Sequence, residues 1–284
     1  EELWEAAYFD SIQLLAIDHP PEIEVFTNEK VGPAELAQFQ VHVVRKRHAP
    51  QRVLDTTGQD ISQIVAKRDG RYTKTWQQGI NQGVTDEHYI ELDLGALQHP
   101  ENVRLFLTGW MFPTCTSINV SMAENPLKPK SKPPAIWMPD EAGEWQEVIP
   151  YAGFPGGKTK TIAIDLSNKF PSDDYRLRVV TTMELCWDEV FFSDEPAGTN
   201  LAQTPRVDGA ALSQQLSGSV ASESELDAIL SQLSSSAPYR IARQPLLGAD
   251  LHFRGFSRML PQPYNAPKRY DYEQVSRASI WPPM

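Results

Sequence analysis

The chain has 284 residues, 40% of them hydrophobic and 22% charged, enough for one large core or two ordinary ones and too apolar for wholesale disorder. A net charge of −11 speaks against nucleic acid as a partner, and no apolar run approaches the roughly 18 residues of a transmembrane helix. The 23 prolines suit short strands joined by rigid turns. The opening "EELWEAAYFD" lacks an initiator Met and a signal-peptide layout, so the chain is expected to be trimmed or part of something longer.

In chain order, residues 11–18 ("SIQLLAID") predict a buried strand that stops at His19-Pro20-Pro21. Glu22 to Thr27 alternates as a second strand, and residues 33–38 suit one helical turn or a short helix. Phe39 to Val44 alternates again and places His42 on the polar face, as a surface histidine. The nearest approach to a basic patch, Arg45 to His48, ends that strand facing water. A helix is expected from about Ile61 to Lys67, with Asp60 as its N-cap.

From residue 88 the alternation sharpens. "HYIELDLG", "NVRLFLTGW", "SINVSM" (Ser117 to Met122), "AIWMPDEAGEWQEVIPY", "KTKTIAIDL", "YRLRVVTT" and "ELCWDEVFFS" read as short strands punctuated by turns. An extended Pro/Lys-rich loop runs from Asn125 to Pro134. The pattern predicts an all-β fold: an antiparallel β-sandwich or jelly roll, with additional strands before and after it and a helix-containing arm. Residues 1–87 are expected to be a β-rich segment completing a domain lost upstream, and 88–196 to be the sandwich. Residues 197–237 form an Ala/Ser-rich linker or arm. Within it, Ser222 to Glu225 can cap a short helix carrying Leu226, Ile229, Leu230 and Leu233. Residues 238–284 supply a C-terminal strand and a Pro/Tyr-rich tail.

Two resemblances follow from these residues. "HYIELDLG", "DEAGEWQEV" and "YRLRVVTTMELCWDEVFFS", with Arg176 and Arg178 on one face, resemble strands of the discoidin, or galactose-binding-like, β-sandwich. "LLAIDHP", "VFTNEK", "KRDGRY", "LTGW", "GFPGGKTKTIAIDLS", "CWDEVFF", "DLHFRGFSR" and "WPPM" together resemble the C-terminal region of secreted bacterial proteins with FG-GAP repeats and an ASPIC/UnbV segment. The resemblance implies an extracytoplasmic protein, with an N-terminal β-propeller in the longer chain. It brings no catalytic residues.

The chemistry-bearing motifs are sparse. Gly153-Phe154-Pro155-Gly156-Gly157-Lys158 misses the spacing of a phosphate-binding loop by one residue and leads into a strand, so a glycine turn is expected. The six histidines are scattered singly, and Asp188 and Glu189, adjacent on a strand, are expected to point to opposite faces. Cys115 and Cys186 either pair or remain separate buried thiols. No catalytic residue and no cofactor is predicted; surface carboxylates offer ligands to Ca²⁺, but no dense ligand loop exists. Trp110, Trp137 and Trp145 lie near strand ends and loops, where flat rings give contact area at little entropic cost, and are the expected ligand-binding residues. The expected function is therefore a non-catalytic module binding a glycan or a protein partner. A structural subunit of a larger assembly, or an enzyme domain whose site is not legible, is the alternative.

Overall fold

A computed structural model describes residues 13–33, 36, 41–77, 79–125, 127, 130–195, 240–245, 256–263 and 265–276. Its strands are β1 (Gln13–Asp18), β2 (Glu24–Thr27), β3 (Lys30–Val31), β4 (Val41–Val44), β5 (Arg52–Asp55), β6 (Val84–Asp93), β7 (Arg104–Met111), β8 (Ala135–Pro139) and β9 (Trp145–Ile149). They continue as β10 (Phe154–Pro155), β11 (Lys160–Asp165), β12 (Arg176–Met183), β13 (Leu185–Ser193), β14 (Arg240–Pro245), β15 (Phe256–Leu260) and β16 (Arg269–Ser276). Among the described residues there is one α-helix, α1, spanning Thr116–Glu124.

Two antiparallel sheets make the sandwich: five strands in the order β5-β6-β12-β8-β9, and three in the order β11-β7-β13. Alternation in β6 sends Ile90 and Leu92 inward, as β12 does with Leu177 and Val179 and β8 with Ile136 and Met138. The facing sheet contributes Leu105, Leu107, Ile162, Ile164, Val190 and Phe192, and all twelve belong to one continuous core. The all-β expectation is thus met.

The outer faces of the two sheets differ. On the three-stranded sheet, Phe106 and Phe191 point outward and stack with centroids 4.7 Å apart. The β2–β4 ribbon covers them with Phe26 and Val44. The free edge of β11 is also closed: Glu29 N–H donates to the Thr161 carbonyl, and Asn28 Oδ1 accepts from the Ala163 N–H. The five-stranded sheet has no such cover among the described residues.

Several expectations are corrected. Residues 117–122 lie in α1, not in a strand. Ile118, Val120 and Met122 suit a period of two, but Ile118 and Met122 are also one helical turn apart, and only Met122 is buried while Val120 is 48% exposed. Ile61–Lys67 is a single turn, closed by Val65 N–H on the Ile61 carbonyl, because Val65 and Ala66 go on to bridge the edge of β13. His42 is not a surface histidine: its ring meets Phe106 edge-on at 5.7 Å and its Nε2 is buried. A bulge at Trp187/Glu189 removes the expected opposition of Asp188 and Glu189. Asp188 accepts the N–H groups of Asp69 and Gly70, and Glu189 accepts that of Arg68, so both serve one loop. Cys186 lies within β13, Cys115 precedes α1, and both are free thiols. The expected arm at 197–237 lies outside the described residues.

Candidate functional site

The alternation of β12 puts Arg176 and Arg178 on the outer face of the five-stranded sheet. Arg178 is paired in register with Glu91 of β6 on one side and Trp137 of β8 on the other. Trp145 opens β9 opposite Pro139, on the same face. The Arg178 guanidinium sits 3.8 Å from the centroid of Trp145 and 4.3 Å from that of Tyr89. Its Nε and Nη2 donate to Glu91 Oε2 at 2.8 and 2.7 Å. Trp137 and Trp145 are both half-buried and come together here, as a sheet face rather than as loop tips.

Trp110 is elsewhere. It lies near the end of β7, beside the β12–β13 connection, at the opposite end of the sandwich from the β8–β9 turn that precedes Trp145. Its ring is 5% exposed, clusters with Trp76 and Cys186, and donates from Nε1 to the Asn265 carbonyl.

Next to Trp145, the loops at the near end of the sandwich enclose two adjoining shallow depressions of about 530 and 540 Å³, sharing Asp173 and Tyr175. Asp93, Gly95, Asp174 and Arg176 line the first, and Pro100, Glu141, Phe170 and Ser172 the second. Phe170 and Tyr175 meet edge-to-face at 5.3 Å. Arg176 Nε donates to both oxygens of Asp174 at 2.9 and 3.1 Å, and the guanidinium holds that carboxyl below its usual range. The Ser172 hydroxyl ties the loop to the Pro139 carbonyl of β8. Arg176 stands 5.6 Å from the Trp145 ring, so groove and sheet face are continuous.

The sequence marked Trp145 and the shared face of Arg176 and Arg178. Phe170 and Tyr175 carried no signal, because their role comes from a loop brought against β6 and β8 by long-range pairing. Among the described residues, no cluster of three or more His, Cys, Asp or Glu side chains is arranged to hold a metal ion. No described helix is long and apolar enough to cross a membrane. No protein-family model, curated protein or solved structure matches the chain.

Proposed function

We propose that the chain is a β-sandwich binding module of an extracytoplasmic protein and that it takes a neutral glycan in the groove beside Trp145. The observation that carries this reading is the shallow groove in which two aromatic rings stand among planar charged groups. Phe170 and Tyr175 offer flat apolar surface to the C–H face of a sugar ring. Asp93, Asp174 and Arg176 offer acceptors and donors to its hydroxyls. The site supports binding better than hydrolysis. A glycosidic acid needs a carboxyl whose pKa is raised, and Arg176 holds Asp174 in the opposite direction. The extracytoplasmic placement rests on the family resemblance of the sequence.

Calorimetric titration with a neutral galacto-oligosaccharide tests the proposal. Saturable binding is expected, weakened at least about tenfold, or about 1.4 kcal/mol, by Tyr175→Ala and by Asp173→Ala, the latter without loss of thermal stability. Absence of binding, or binding that neither substitution alters, overturns it.

A further inference from the structure

The alternation that puts Arg176 and Arg178 on the outer face of β12 also fixes the attitude of Trp145. The Arg178 guanidinium carbon lies over the Trp145 ring, 3.8 Å from its centroid, a distance reached by stacking on the flat face and not at the edge. That guanidinium is itself pinned: Nε and Nη2 both donate to Glu91 Oε2, and the Tyr89 ring lies 4.3 Å from it. One face of the indole is therefore held against β12. The ring is only half-buried, so its accessible surface is the other face, turned away from the sheet.

The turn that delivers Trp145 is equally well fixed, and it belongs to the groove. Asp140 N–H donates to the Glu144 carbonyl, Asp140 Oδ1 accepts the N–H groups of Ala142 and Glu144, and Gly143 takes the left-handed conformation the turn needs. Glu141 of this turn lines the depression that holds Phe170. Arg176 lines the adjoining one with Tyr175 and stands 5.6 Å from the Trp145 centroid. The groove thus runs onto the indole without a wall between them.

We infer that the exposed face of Trp145 is a second sugar subsite, so that the module takes an extended neutral glycan, with one unit in the Phe170/Tyr175 groove and a further unit stacked on Trp145. The inference rests on the glycan reading of the groove. A flat indole matches the apolar C–H face of a sugar ring. Because Arg178 and the turn fix that ring beforehand, little side-chain freedom is lost on contact. A second unit on the same glycan binds intramolecularly, so affinity grows with chain length until both subsites are filled.

The test is calorimetric titration of the full chain with neutral galacto-oligosaccharides from disaccharide to hexasaccharide. Affinity should rise at least about tenfold over the series. Trp145→Leu, which keeps apolar bulk but no flat face, should abolish the rise, so that every length binds as the disaccharide does. Trp145→Tyr, which keeps a flat ring, should retain it. Tyr175→Ala should weaken binding at every length, which separates the groove from its extension. Tryptophan emission of the wild type should shift further with the hexasaccharide than with the disaccharide, a difference absent from Trp145→Tyr; this contrast decides the question if Trp145→Leu does not fold. Equal affinity at all lengths in the wild type, or a rise that survives in Trp145→Leu, overturns the second subsite and leaves the groove reading standing. No binding at any length overturns both.

Discussion

Asp188 shows how a single buried carboxylate organises a loop in this protein. It is 1% exposed, and burial pushes its pKa up, opposed by the Asp69 and Gly70 N–H groups that both donate to Oδ1. The charge is a cost and the hydrogen bonds are the gain, so the two can be separated by substitution. Asp188→Asn keeps an acceptor and removes the charge; its stability at neutral pH is expected within about 1 kcal/mol of wild type. Asp188→Ala removes the acceptor and leaves both amides without it, and is expected to cost about 2 kcal/mol. Urea denaturation of the two variants measures both; equal losses would mean that the hydrogen bonds contribute little. The bulge at Trp187/Glu189 makes this arrangement possible, and a two-residue alternation read from sequence has no way to announce a bulge.

At the scale of the strand, Gly109 sets how closely β7 and β13 approach. A Cβ there would stand 2.5 Å from the Cys186 carbonyl oxygen and 2.7 Å from the buried Trp187 ring, with neither free to yield. Gly109→Ala is expected to lower stability by about 1–3 kcal/mol or more, read as a fall in the thermal midpoint, whereas Gly143→Ala, with open space around it, is strained only by its φ of 83°. Most of the elements of the sandwich were legible: the alternation of Ile90/Leu92, Leu105/Leu107 and Leu177/Val179 assigns strands and inward faces directly. α1 was not, since Ile118, Val120 and Met122 alternate as a strand would, and only the four-residue spacing of Ile118 and Met122 fits a helix. The site was half legible for a related reason. Local alternation predicts that Arg176 and Arg178 share a face, but not that β8 and β9 would lay Trp137 and Trp145 beside them, nor that Trp110 would fall at the other end.

Among the described residues the two sheets differ: nothing covers the outer face of the five-stranded sheet, while the three-stranded sheet is closed by the β2–β4 ribbon. That closure places His42 where a proton is unwelcome. Burial lowers its pKa from 6.5 to about 4, aided by Arg104 and Lys30 and opposed by Asp165. Its Nε2 is buried without a hydrogen-bond partner among the described residues. In the unfolded chain the imidazole takes up its proton near pH 6.5, and in the folded one only near 4. Between those values the unfolded state binds more protons, so stability is fully present above about pH 6.5 and falls as pH drops toward 4. The difference corresponds to about 3 kcal/mol. Other groups also titrate in this range, so the decisive quantity is the difference between wild type and His42→Phe. Over pH 7 to 4.5, wild type is expected to lose about 2–3 kcal/mol more than the variant by urea denaturation. Hydrogen exchange should show β2 and β4 opening before the sandwich strands, because the ribbon lies outside the main core. Parallel pH curves for the two proteins would show that His42 does not couple closure of this face to pH.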